Sequence, residues 1–109
     1  MATISPKIQS SDNPGPIESK IIEKIVNKLN PTFLKIANDS AKHAHHAGIR
    51  GASNTTESHF RVEVVSEAFQ DQKLPARHRL IYSLLDDEFT NHGLHALQLK
   101  TKTPKEVNQ

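Results

Sequence analysis

The sequence predicts a small two-layer α+β domain: a three-stranded mixed sheet with the long helices on one face, in the order helix–strand–strand–helix–strand, closed by a short helical turn. Three observations lead there. Two segments carry apolar residues at helical spacing, and three shorter segments alternate apolar and polar residues. Three strands cannot bury an apolar face alone, so both amphipathic helices are expected to cover one side. A chain of 109 residues suits one domain with one modest core.

Residues 1–15, "MATISPKIQSSDNPG", are dominated by Pro, Ser, Asn and Gly and read as a disordered tail. They lack the apolar core of a secretory signal, and also the arginines and amphipathicity of a mitochondrial presequence. The domain is expected to span 16–106, with 107–109 as a C-terminal tail. Its first element is a helix over 16–29, "PIESKIIEKIVNKL". Ile17, Ile21, Ile25 and Leu29 repeat every fourth residue, and Ile22 and Val26 widen the stripe. Pro16 suits the first helical position and Pro31 stops the helix.

"TFLKIAND", 32–39, alternates through Leu34 and Ile36 and reads as a strand. "SHFRVEVVS", 58–66, alternates more clearly, with Phe60, Val62 and Val64 on one face and His59, Arg61 and Glu63 on the other. "LPARHRLIYSLLDDEF", 74–89, is predicted as a single second helix with Leu80, Ile81, Leu84, Leu85 and Phe89 on its apolar face, stopping near Asn91 and Gly93. "LHALQLK", 94–100, is the third strand. "TPKE", 103–106, has the capping-box pattern of a closing helical turn.

Topology assigns a place to the histidines. The first two strands are sequential and expected to be antiparallel, so the long 41–57 connection joins the end of one to the start of the next. The second and third strands are joined through a helix and are expected to be parallel, so they start at the same sheet end. His59 and His95 therefore belong near the end that carries the connection. Loops that long are usually functional or disordered. Residues 42–60, "KHAHHAGIRGASNTTESHF", hold four of the seven histidines. His43, His45, His46, His59 and His95 could supply two or three imidazole ligands there. "HAHH" matches no zinc signature, and the bland reading is a solvated histidine cluster.

Other function classes are constrained by composition. There is no cysteine, which excludes disulfides, thiolate catalysis and a self-sufficient cysteine metal site. No apolar run approaches the ~18 residues of a membrane helix. The net charge of +2 and pI near 9.0 permit a nucleic-acid partner without diagnosing one. "GIRG", 48–51, formally matches the GxxG loop of KH nucleic-acid domains, but lies between two strands rather than two helices. Ser58, His59 and Asp86 could be imagined as a hydrolase set, yet no nucleophile elbow surrounds any serine, so no enzyme is expected. In "RHR", Arg79 points to solvent, His78 sits at the edge of the apolar face, and Arg77 falls near its middle but in the first turn, where it can reach solvent. His78 is expected to be partly buried and hydrogen-bonded, with a basic docking surface as the alternative.

Three segments, "ESHFRVEVVSEAF" (57–69), "RHRLIYSLLDDEF" (77–89) and "LHALQLKTKTPKE" (94–106), together resemble the BolA family. The resemblance covers roughly residues 17–106. It implies a fold like a class II KH domain without the GxxG turn. It further implies pairing with a monothiol glutaredoxin of the CGFS type and a [2Fe–2S] cluster shared at the interface. The glutaredoxin cysteine and glutathione would bind from one side. From the other would come His95 of the "HAL" segment and a loop histidine. "NDSAKH" resembles the loop of the histidine subclass and points to His43, with His45 and His46 as alternates.

No cofactor is then expected in the isolated chain, which should be a monomer with no membrane partner. Rieske-type centres carry two histidines on one iron, so a chain without cysteine can contribute half a site. Coordination needs neutral imidazole, so affinity should fall as pH drops through the histidine pKa. The docking surface is expected at Arg77, His78, Arg79 and Ala96. The histidine subclass resembles a mitochondrial factor that helps [4Fe–4S] clusters mature on client enzymes, which implies the mitochondrial matrix, with the cytosol as the alternative. Late-acting cluster carriers and clients would be further partners. The competing reading is a nucleic-acid-binding regulator of the bacterial BolA type.

Overall fold

The computed structural model describes residues 7–40 and 57–107. The apolar stripe of 16–29 folds as predicted: helix α1 spans Pro16–Leu29 and buries Ile21, Ile25 and Leu29. It ends where Asn30 takes a left-handed conformation, φ 48°, and donates its N–H to Val26 O at 3.1 Å. Asparagine tolerates that conformation, and Pro31 then prevents the helix from continuing.

Strands β2 (Phe33–Asn38) and β3 (His59–Val65) run antiparallel, with Leu34 opposite Val64 and Ile36 opposite Val62. Strand β4 (Ala96–Lys102) runs parallel to β3, with Phe60 opposite Leu97 and Val62 opposite Leu99. The expected antiparallel and parallel pairings are both present. The inward residues Leu34, Ile36, Phe60, Val62, Val64 and Leu97 meet Ile21, Ile25, Ile81 and Leu85 in one apolar cluster, completed by Phe69 and Leu94.

Two expectations are corrected. First, the sheet has four strands, not three. Strand β1, Lys7–Gln9, pairs parallel to β2 at the sheet edge, giving the order β1-β2-β3-β4. Within the segment expected to be a disordered tail, Lys7–Gln9 are therefore a strand. All three β1 side chains are exposed, so no alternating apolar pattern announces the strand. It is tied down by backbone pairing and by Ser11, whose N–H and hydroxyl both donate to the buried Glu18 carboxylate, at 2.8 and 2.7 Å.

Second, the 74–89 helix is two helices. Helix α2 covers Leu74–Leu84 and α3 covers Asp86–Asn91, separated by Leu85 at φ −103°, ψ 16°. The acidic run Asp86, Asp87, Glu88 favours the positive end of a new helix. Leu85 at this junction is completely buried, and Phe89 on α3 packs on the core.

The closing turn forms as predicted. Helix α4 (Pro104–Val107) carries a reciprocal capping box: Thr103 N–H donates to Glu106 Oε1 at 2.8 Å, and Glu106 N–H donates to Thr103 Oγ1 at 3.1 Å. Pro104 and Val107 line a hollow with Phe33, Glu63 and Val65. Val65, on the sheet face away from the long helices, is buried.

Candidate functional site

Three strand termini converge at one end of the sheet. Strand β2 leaves at Asn38, β3 enters at His59 and β4 enters at Ala96, with His59 opposite Ala96 in register. The end is held by a backbone and serine network. Asn38 Oδ1 accepts the Ser40 N–H at 2.9 Å, the turn that a short Asn side chain favours two residues ahead of itself. Ser40, 1% exposed, then accepts on its hydroxyl oxygen the N–H of Ser58 at 2.8 Å and that of His59 at 3.1 Å. Ser58 O accepts both His95 N–H, at 2.8 Å, and Ala96 N–H, at 3.0 Å. One serine hydroxyl and one carbonyl thus bind the ends of β2, β3 and β4 together.

His59 and His95 meet on this base. Their ring centroids are 5.4 Å apart and the planes are tilted by 42°. His95 is exposed and His59 half-buried. His59 Nδ1 lies 2.9 Å from the Ser58 hydroxyl, with the donor set by the ring tautomer. The convergence expected from topology is therefore present for these two residues. His43, His45 and His46 lie outside the described residues, as do Gly48 and Gly51. Ser40 and Glu57, which flank that stretch, both lie at this sheet end. Among the described residues no group of three His, Cys, Asp or Glu side chains is placed to hold a metal ion. His95 thus presents one exposed imidazole on a pinned backbone, the kind of nitrogen donor that a mixed-ligand iron site takes.

Glu57 is 7% exposed and accepts the Glu18 N–H at 2.8 Å. It thereby satisfies one of the orphan donors at the start of α1 and ties that helix to the residue preceding Ser58. Neither Glu57 nor Ser40 stands out in the sequence as a site residue. An Asn two residues before a Ser is the local pattern that could have pointed to Ser40, while Glu57 needs the tertiary fold to acquire its partner.

The docking surface expected on "RHR" is partly corrected. Arg77 is 6% exposed, not displayed. It donates to Gln72 O at 2.8 Å and Thr101 O at 3.1 Å, and binds Glu106 through both terminal nitrogens, at 2.8 and 3.1 Å. Its guanidinium also stands 5.7 Å from the Phe69 ring centre. First-turn geometry did not carry it to solvent, because unpaired carbonyls and a carboxylate surround it. His78 is half-buried, as expected, but its side chain makes no hydrogen bond among the described residues, and Arg79 is exposed. The Ser58 hydroxyl does approach His59, yet Ser58 is 1% exposed, which denies a substrate carbonyl access to it. No described helix is long and apolar enough to cross a membrane.

The exposed cations near the site are partly neutralised. Arg61 binds Asp39 through Nε and Nη2, and this partner raises its pKa. With Lys35, Gln98 and Lys100, Arg61 lines a shallow hollow on the sheet face away from the long helices.

Comparison with known proteins places these features in a lineage. Residues 25–106 match the family described as BolA-like protein. The chain is 45% identical over 92 residues to the UV-induced protein uvi31 of Schizosaccharomyces pombe, covering 84% of this chain and 89% of that one. It is 48% identical over 89 residues to SufE-like protein 1, chloroplastic/mitochondrial, of Arabidopsis thaliana, covering 81% of this chain but 24% of that longer protein. The solved BolA domain of that SufE1 superimposes with a TM-score of 0.76 at 42% identity, covering 87% of this chain and all of the domain. A Vibrio cholerae protein named DNA-binding transcriptional regulator BolA is 41% identical over 93 residues, covering 85% of this chain and 80% of its own length.

Proposed function

This chain belongs to the BolA family, and from that premise we propose that it is an iron–sulfur cluster assembly or transfer factor that works with a monothiol glutaredoxin and has no catalytic activity of its own. The observation that carries the reading is the His59–His95 contact at the sheet end flanked by Ser40 and Glu57. The cluster is cargo, held between the two proteins. His95 offers an imidazole from an exposed position whose backbone is fixed by Ser58 O. The second nitrogen ligand comes from the loop, with His43 as first choice and His45 and His46 as alternates. The glutaredoxin cysteine and glutathione supply the thiolates this chain lacks. Imidazole is a weaker anchor for iron than thiolate, which favours release to a client over storage.

The names of the relatives support an organellar setting: SufE-like protein 1 is described as chloroplastic/mitochondrial. We place this chain with the mitochondrial members and assign it clients that carry [4Fe–4S] clusters. The test is to mix the protein with cluster-loaded monothiol glutaredoxin and follow visible absorption and circular dichroism. The spectrum should change on complex formation. If His43→Ala combined with His95→Ala leaves that change intact, cluster sharing through these residues is wrong.

The similarity to the Vibrio regulator keeps a second reading in play, nucleic-acid binding. Against it, Arg77 is consumed internally and the net charge is only +2. Affinity for duplex DNA measured from low to physiological salt decides the matter. A binder contacting several phosphates loses orders of magnitude over that range.

A further inference from the structure

We propose that His59 is a positioning residue for His95: locked through Nδ1 on Ser58, its ring fixes the direction in which the exposed His95 ring presents its coordinating nitrogen. The inference rests on the cluster-sharing reading and deepens it. An exposed histidine samples several rotamers, and a ligand that must be ordered at the moment of binding coordinates less tightly than one already held. The backbone of His95 is pinned by Ser58 O, but that bond leaves its side-chain torsions free. The only described ring against His95 is that of His59, 5.4 Å away between centroids. A tilted pair at this spacing lies within the range where rings attract.

His59 is suited to hold rather than to be held. It sits on the central strand β3, between β2 and β4, and is half-buried. Its N–H donates to Ser40 Oγ and its O accepts the Asp39 N–H. Its ring is further restrained by the hydroxyl of Ser58, whose own carbonyl holds His95. Ring, hydroxyl and carbonyl therefore form one linked unit that holds the His95 backbone and lies against its ring. Outer contacts of this kind orient metal-ligating histidines and affect affinity by about tenfold or more.

The test has an arm without the cluster and an arm with it. In the isolated full chain, nuclear magnetic resonance should show His95 ring signals shifted and broadened by His59→Ala, partly restored by His59→Phe, and shifted by Ser58→Ala, while far-ultraviolet circular dichroism shows each variant folded. In the complex with glutaredoxin and glutathione, His59→Ala should shift the visible circular dichroism and shorten cluster lifetime about threefold to tenfold, with His59→Phe between it and the parent. Pulsed electron paramagnetic resonance of the reduced complex should still report two coordinated imidazole nitrogens in His59→Ala. Unchanged His95 ring signals, or an unchanged lifetime, would overturn the proposal. So would loss of one nitrogen coupling, which would make His59 a ligand. His95→Ala that leaves the visible spectrum unaltered overturns the cluster reading itself, and is told apart because the cluster-free arm reads ring geometry alone.

Discussion

Arg77 on α2 grips Glu106 on α4 through both terminal guanidinium nitrogens, at 2.8 and 3.1 Å, and so closes α4 onto the domain. The same guanidinium satisfies Gln72 O and Thr101 O. Because Arg77 is buried, its loss leaves carbonyls without a donor as well as an empty volume over Phe69. Arg77→Ala should cost about 2–3 kcal/mol in urea unfolding. An unchanged unfolding midpoint would show that water replaces the guanidinium without penalty.

The pair also gives a pH dependence. The hydrogen bonds from Arg77, then the Thr103 N–H, hold the Glu106 carboxyl at about 2, against an ordinary 4.5. A folded pKa below the unfolded one means that the stabilisation is fully present above about pH 4.5 and is lost as pH falls toward 2. Glu106→Gln should flatten this part of the acid unfolding curve. Thermal melts of the parent and variant between pH 5 and 2 should converge at the acid end. Parallel curves would mean that Glu106 does not titrate in that window.

The same two residues show how far sequence reasoning reached. Glu106 was legible, because a Thr three residues before a Glu is a local pattern and its partner is local. Arg77 was not, because its partners Thr101 and Glu106 are brought in by the β4–α4 return, and no spacing within 74–89 encodes them. The long elements α1, β2, β3 and β4 were readable since each buries an alternating or helical stripe. Strand β1 was missed because it is three residues long and all of them are exposed, so it carries no buried stripe. At the site, strand order alone brought His59 to His95, whereas the Ser40 and Glu57 contacts depend on folded geometry. His43, His45 and His46 lie outside the described residues.

Gly15 leaves space for a carboxylate rather than meeting a conformational requirement. Its φ of −75° suits any residue, but a Cβ built there runs into the Glu57 carboxyl group. Gly15→Ala should push Glu57 off the Glu18 N–H and destabilise the domain by about 1–2 kcal/mol. Combining it with Glu57→Ala should cost less than the sum of the two single changes, since one of the two clashing groups is gone. Strict additivity in a double-mutant cycle would refute the steric account.

Lys24 and Glu88 form an ion pair between α1 and α3, with both Glu88 oxygens accepting from Nζ, at 2.7 and 2.9 Å. The partners differ sharply in exposure, 31% for the Lys24 side chain and 2% for Glu88. Removing the lysine therefore strands a buried carboxylate, while removing both charges does not. Lys24→Met should destabilise by about 3 kcal/mol, and Lys24→Met with Glu88→Leu should recover most of that loss. If the double variant is no more stable than Lys24→Met, the stranded charge is not the source of the cost.

Ser40 is the residue on which the site's geometry most directly depends. Its single hydroxyl oxygen accepts from two successive backbone N–H groups, those of Ser58 and His59, at the point where β3 begins. Alanine leaves both donors without that acceptor in a position 1% exposed, at a cost of about 2–3 kcal/mol. The loss should be local before it is global, because β2 and β3 remain paired from Asn38–Phe60 to Phe33–Val65. Amide hydrogen exchange in Ser40→Ala should thus quicken most at Ser58, His59 and the His95–Ala96 amides that share Ser58 O, and least at Val62 and Val64. If cluster sharing depends on this base, the variant should also lose cluster faster in the glutaredoxin complex while keeping its fold. Uniform acceleration across β3 would instead assign Ser40 to general stability and separate it from the site.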